Sequence, residues 1–301
     1  MFKNVLVGVD DGEGGRDAIV LARLLAAPGS EITLAQVYEG GSEVSRASNS
    51  AYEEAQHDRI RTLLEKASQE TGVEAHIRWH GSRSVGRGLH ELAELSGADL
   101  LVIGSSRRGL LGRTLIGDDT SAALNGAPCA VAIAPAGYCR EPVVMREVGV
   151  GYDGSLESEA ALALARIVAA EHHTRLSAFH AISNPAYLYL GYLGTPAPAG
   201  AESIHRELER ARKRIAGLGG VEPHAAYGDA VEELTLYSAS LDLLVVGSRG
   251  YGPLGRLVYG GVAQRLARTA RCPLLVLTRS AHMLPDEPSV EGGLATAVSG
   301  T

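Results

Sequence analysis

Cysteine is scarce in this chain of 301 residues: Cys129, Cys139 and Cys272 are all there is. They form no CxxC pair and no even framework, which excludes a disulfide-stapled scaffold and fits a reducing cytoplasm. Lysine occurs only at Lys3, Lys66 and Lys213. None of these follows a glycine-rich loop, so there is no Walker A phosphate loop. GxSxG is missing as well, which removes the commonest hydrolase elbow. No apolar run reaches the roughly 18 residues of a membrane helix. The opening MFKNVLVGVDDG goes straight into strand-like sequence without a signal-peptide pattern. Basic residues are outnumbered, with 28 Lys and Arg against 35 Asp and Glu. The resulting net charge of −7 argues against general affinity for nucleic acid. The expectation is a cytoplasmic protein with neither a membrane nor a nucleic acid as partner.

What the chain does contain is a repeat. VLVGVDDG at Val5 resembles VGVGYDGS at Val148, and Asp10 plus 143 is Asp153. The same shift carries Asp99 to Asp242, Gly104 to Gly247, Gly117 to Gly260 and Cys129 to Cys272. Several positions at one offset identify a tandem duplication. Each copy alternates short β-branched runs with segments of helical period. In the first copy, strands are expected at Asn4–Val9, Glu31–Val37, Val73–Trp79, Asp99–Ile103 and Ala130–Ala134. Helices are expected at Asp17–Ala27, Tyr52–Thr71, Gly88–Leu95 and Thr120–Leu124. The second copy repeats the order from Glu147. Such alternation implies α/β domains, each a doubly wound, five-stranded parallel sheet with helices on both faces. The boundaries read 1–138 and 143–280, with a linker near Gly137–Glu141. Residues 281–301 form a proline-, glycine- and alanine-rich tail without periodicity, expected to be disordered.

Ligands in open parallel sheets bind beyond the carboxyl ends of the strands. There the second copy reads VVGSRGYGPLGRLVYGGV from Val245: an apolar strand, a glycine-rich loop with Arg249 and Arg256, then a helix start. Converging backbone N–H groups and a positive helix N-terminus make this layout suited to an anion. Gly250 to Gly255 also fits GxGxxG, but no Asp or Glu follows before Asp286, so the dinucleotide reading is rejected. His172 and His173, near the end of a helix, are expected at the surface. His180, at a strand end, is expected to be a satisfied, partly buried histidine. Cys129 and Cys272 read as small buried hydrophobes. One segment differs between copies: Ser183 to Gly200, with Tyr187, Tyr189 and Tyr192, is either a self-packed surface loop or a lid or docking patch for a protein partner.

These residues resemble the universal stress protein family in its tandem two-domain form. ATP-binding members carry G-x2-G-x9-G-[ST] after the fourth strand, and Gly247, Gly250 and Gly260 stand at that spacing. Gly261 occupies the place of the hydroxyl residue. The resemblance implies a site for ATP, with Mg²⁺ as a possible companion. It is formed by Asp153 near adenine and ribose, Ala181 and Val246 on the base, and Gly247, Ser248, Arg249, Gly250, Gly260, Gly261 and Val262 around the phosphates. Its counterpart in the first copy is Asp10, Val37, Ile103, Gly104 and Gly117. Gly261 removes one hydroxyl donor and keeps the backbone N–H; Arg249 or Arg256 could compensate. In the first copy Arg107 replaces the second glycine, and Asp118-Asp119 puts carboxylates where phosphates would approach. Binding is therefore expected mainly in the second copy. The family also pairs domains through their last strands, which implies an intramolecular dimer with further homodimerisation open. A regulatory nucleotide-binding protein of the stress response, without catalytic residues, is the leading reading. A slow ATP hydrolase and a nucleotide-free interaction scaffold are the alternatives.

Overall fold

The computed structural model describes residues 1–39, 50–105, 122–183, 200–248 and 261–277. The first half runs β1 (Phe2–Gly8), α1 (Glu13–Leu25), β2 (Ala26–Glu39), α2 (Ser50–Thr71), β3 (His76–Ser82), α3 (Val85–Ser96), β4 (Leu100–Gly104) and β5 (Ala130–Ala134). The second half runs β6 (Glu147–Gly151), α4 (Leu156–Glu171), β7 (Arg175–Ile182), α5 (Gly200–Ala216), β8 (Glu222–Tyr227), α6 (Ala230–Tyr237), β9 (Leu243–Gly247), α7 (Gly261–Thr269) and β10 (Leu274–Leu277). The strands form one sheet in the order β3-β2-β1-β4-β5-β10-β9-β6-β7-β8. Every pairing within a half is parallel. At the centre β5 and β10 run antiparallel, with Ala132 opposite Leu275, so the halves join through their last strands as the resemblance implied.

Continuous apolar runs such as LLVIG in β4 and LLVVG in β9 are buried on both sides, because helices cover both faces. Leu21 and Leu25 of α1, Leu64 of α2, Leu164 of α4 and Ile215 of α5 belong to the core on one face. Leu89 and Leu92 of α3, Leu234 of α6 and Leu266 of α7 belong to the core on the other. The repeated Asp99 and Asp242 have matching roles at the feet of the strands. Asp99 accepts from Lys3 N and Asn4 N at 2.8 and 3.0 Å, and Asp242 from Arg146 N and Glu147 N at 2.7 and 2.9 Å.

Several boundaries differ from the sequence expectation. Helix α1 begins at Glu13 rather than Asp17, taking in Gly14 and Gly15. These glycines serve packing: a Cβ on Gly15 would lie 2.8 Å from Val9, and one on Gly104 would lie 2.1 Å from the Gly14 carbonyl. Strand β3 begins three residues later than expected. Val73, expected to open it, instead closes α2: its N–H donates to Ser68 O, and Ser68 Oγ donates to its carbonyl. The stretch expected as a linker holds a 3-10 turn, Tyr138–Arg140. Fully buried Asp17 accepts from Gly137 N and Cys139 N, both at 2.8 Å, and Arg140 pairs with Glu13. His172 is a second tie across the halves. It is half-buried, not simply at the surface, and its Nε2 donates to the Leu24 carbonyl at 2.8 Å. His173 is exposed.

Candidate functional site

Above the carboxyl ends of β6, β7 and β9 lies a cleft of about 710 Å³. Asp153, Ala181, Val246, Gly247, Ser248, Gly261 and Val262, all singled out in the sequence, line it together. Arg249, Gly250 and Gly260 lie outside the described residues, as do Arg256 and the interior of the Ser183–Gly200 segment. The matching cleft of the first half is lined by Asp10, Val37, Ile103 and Gly104 and measures about 150 Å³; Gly117, Arg107, Asp118 and Asp119 are outside the described residues. Ligand pockets commonly span roughly 300–1,000 Å³, a range the second cleft reaches; the first lies below it and adjoins, at Val9 and Asp10, a separate hollow of about 370 Å³.

The register explains part of the difference. Gly8 stands opposite Ala35 and Gly151 opposite Phe179, so Val37 and Ala181 occupy equivalent places two residues further on. In the first half α3 presses against that place, since a Cβ on Gly88 would lie 2.6 Å from Val37 Cγ1. Leu89 of the same helix lies 3.3 Å from a Cβ built on Gly8. In the second half the smaller Ala181 leaves the room open.

The first glycine of the motif has a structural duty. A Cβ on Gly247 would lie 2.2 Å from the Glu157 carbonyl in α4, the counterpart of the Gly104–Gly14 approach. Gly247 therefore brings the helix start against the strand end, whatever occupies the cleft. Gly261 is different: it opens α7, lines the cleft, and has no described residue within 4 Å of where its Cβ would be. The first N–H groups of a nine-residue helix meet the cavity here, with the partial positive charge that goes with them.

The opposite wall is polar. Asp153 accepts from Ser155 N at 2.9 Å through one carboxylate oxygen, as Asp10 accepts from Gly12 N at 3.0 Å. Ser155 caps α4, accepting from Ser158 N. Tyr152 donates to Glu159; burial first, then that hydrogen bond, pushes its phenol up to about 12. Behind the cleft Phe179 stacks on Tyr237 at 4.8 Å, and the Tyr237 hydroxyl meets Ser177 Oγ at 2.7 Å. Ser177 Oγ in turn donates to Glu147 at 2.7 Å. This aromatic floor escaped sequence reasoning, because Phe179 and Tyr237 lie on separate elements and neither sits in a motif. His180 is partly buried and bonded to the Tyr152 carbonyl, in keeping with the sequence expectation. At the glycine end the described lining residues are Gly247, Ser248, Gly261, Val262 and Ala263, none of which supplies a general base. No helix among the described residues is long and apolar enough to cross a membrane.

The family model described as "Universal stress protein family" matches residues 1–135 and again 145–278. A universal stress protein of Mycobacterium tuberculosis is 33% identical over 191 residues, which is 61% of this chain and 63% of that relative. The match thus spans less than two thirds of the mycobacterial relative's length. A shorter universal stress protein of Thermus aquaticus is 32% identical over 143 residues, 44% of this chain and 99% of its own. Among solved structures, a universal stress protein of Archaeoglobus fulgidus superposes with a TM-score of 0.64 at 17% identity. It covers 92% of this chain and 98% of its own, a likeness of fold.

Proposed function

Since the chain belongs to the universal stress protein family, we propose that it is a regulatory stress-response protein whose second half binds an adenine nucleotide, with ATP as the ligand. One observation carries the reading: of two clefts built by one duplication, the second is about 710 Å³ and the first about 150 Å³. The larger combines a polar wall at Asp153, apolar sides at Ala181 and Val246, and the open start of α7. In this reading base and ribose lie between Asp153, Ala181 and Val246, and the phosphates meet the N–H groups that begin at Gly261. Arg249 and Arg256 belong to the same loop in sequence and supply the positive charge. Mg²⁺ would arrive with the phosphates; among the described residues no three metal-ligating side chains converge on a point. In this reading the output is binding rather than turnover. Residues 1–138 and 143–280 are proposed as the two domains.

Calorimetric titration with ATP and Mg²⁺ tests this. One site per chain is expected. Two sites would mean the first cleft opens, and no heat at millimolar nucleotide would sink the proposal. Sustained phosphate release that disappears in Asp153→Ala would turn the reading toward an enzyme.

A further inference from the structure

We infer that the side of α5 facing the end of β7 is a second anion site, in which Arg210 and Arg214 hold a phosphate dianion, free or as the head of a small phosphate monoester. The inference goes beyond the nucleotide reading and does not depend on it.

A hollow of about 280 Å³ is lined by His180 and Ile182 of β7 and by Glu207, Arg210, Ala211 and Arg214 of α5. It lies across the sheet from the base side of the nucleotide cleft. Ile215 of α5 belongs to one core, whereas Ala181 packs against the other, which holds Leu234 and Val246. His180 and Ile182 form a rim common to both openings.

Arg210 and Arg214 stand one helical turn apart, so α5 presents both guanidinium groups along one side. Their donors are unspent. Arg175, Arg212 and Arg265 of the same half each have a carboxylate within 3.4 Å. Among the described residues, no carboxylate comes within ion-pairing distance of Arg210 or Arg214. Arg214 Nη2 lies 3.2 Å from His180 Nδ1. That nitrogen, however, is 2.7 Å from the Tyr152 carbonyl oxygen, where only an N–H avoids two facing lone pairs, so it offers Arg214 no acceptor. Glu207 lines the hollow without pairing and leaves it with a net positive charge. Arg214 is also seated: a Cβ on Gly154 would lie 3.6 Å from its Nη1, against the turn between β6 and α4.

The first half shows the alternative. On the same side of the sheet, beside α2, a hollow of about 370 Å³ holds Arg16, Arg59 and Lys66. There every cation meets an acid. Arg16 and Lys66 pair with Glu70 at 2.6 and 3.7 Å, and Arg59 with Asp11 at 3.2 Å. In the second half two like charges one turn apart oppose each other, and no described carboxylate relieves them. A tetrahedral dianion does, because guanidinium forks match pairs of phosphate oxygens. The hollow falls just below the roughly 300 Å³ at which ligand pockets commonly begin, which suits a phosphate group with a small remainder.

The test titrates inorganic phosphate and, separately, glycerol 3-phosphate into wild type, Arg210→Gln and Gly261→Asp, following the arginine Nε–H resonances. Arg210 is exposed, so its variant should fold as wild type does. Wild type should bind at millimolar concentration, and Arg210→Gln should weaken binding about tenfold or more. Gly261→Asp, which sets a carboxylate at the start of α7, should leave it unchanged. Either probe bound in this way supports the inference, and the tighter of the two names the source. Binding that survives in Arg210→Gln, or that is lost only in Gly261→Asp, overturns it. So does wild type that binds neither probe at tens of millimolar. None of these results touches the nucleotide reading, which stands or falls with ATP.

Discussion

Gly261 is where the nucleotide proposal is most exposed to test. No described residue lies within 4 Å of its Cβ position, and it opens a helix that faces the cleft. Gly261→Ser should therefore fold without rearrangement. Exchanging Gly for Ser in a helix favours the helical state by about 0.5 kcal/mol, a rise of roughly 1–2 °C in Tm for a protein of this size. The added hydroxyl reaches toward a phosphate oxygen, and a hydrogen bond to a charged group contributes about 1.5–3 kcal/mol. Affinity for ATP should tighten by roughly ten- to a hundredfold. Gly261→Asp runs the other way and copies the Asp118 of the first half. Unit charges about 4 Å apart at an effective dielectric of 20 oppose each other by about 4 kcal/mol, so binding should weaken by at least about a hundredfold. Calorimetry on the three proteins, with melting curves of each ligand-free form, separates affinity from stability. If Ser and Asp both bind ATP as glycine does, the phosphates are not at the start of α7 and the reasoning fails.

Other consequences are independent of the ligand. Gly247→Ala should cost about 2 kcal/mol or more, because its Cβ would lie 2.2 Å from the Glu157 carbonyl; urea unfolding with a wild-type midpoint would refute this. Asp17→Ala leaves the N–H groups of Gly137 and Cys139 without their acceptor, at a cost of about 2–4 kcal/mol, and should raise amide exchange in the Tyr138–Arg140 turn. Burial pushes the Cys129 and Cys272 thiols up to about 12 from an ordinary 9. Both should resist alkylation at pH 8 until the protein unfolds. Because the folded pKa values are raised, their contribution is complete below pH 9. Above it, stability is lost by about 1.4 kcal/mol per thiol for each pH unit until about 12; a flat unfolding free energy between pH 9 and 11 would contradict that.

The architecture was legible because its signals are local. Runs such as LLVVG can only be buried strands, and a fixed offset of 143 marks the repeat without any knowledge of contacts. The site was half legible. Of the motif positions, Gly247 and Gly261 are among the described residues and line one cleft, but the reason for Gly247 lies in a helix ninety residues upstream, where the Glu157 backbone comes within contact. Nothing in one strand reports what is pressed against it. Asp17 was invisible for a similar reason: a lone acid on an alanine-rich helix reads as a solvated face until the turn it holds, 120 residues away, is in place. The unequal clefts arise from small differences, such as Val37 against Ala181, whose effect depends on where α3 settles.

The antiparallel seam between β5 and β10 settles a matter of concentration. Two separate subunits joined along such a seam would come apart on dilution, and their responsiveness would track how much protein the cell makes. Here both partners are on one polypeptide, so their encounter is unimolecular and insensitive to abundance. Covalent union also frees each partner from mirroring the other. A change in a symmetric dimer is made twice, whereas here Asp17 has Ala160 as its counterpart at the offset of 143 and Val37 has Ala181 as its counterpart by strand register. One side is free to become a fixed buttress while the other keeps an opening.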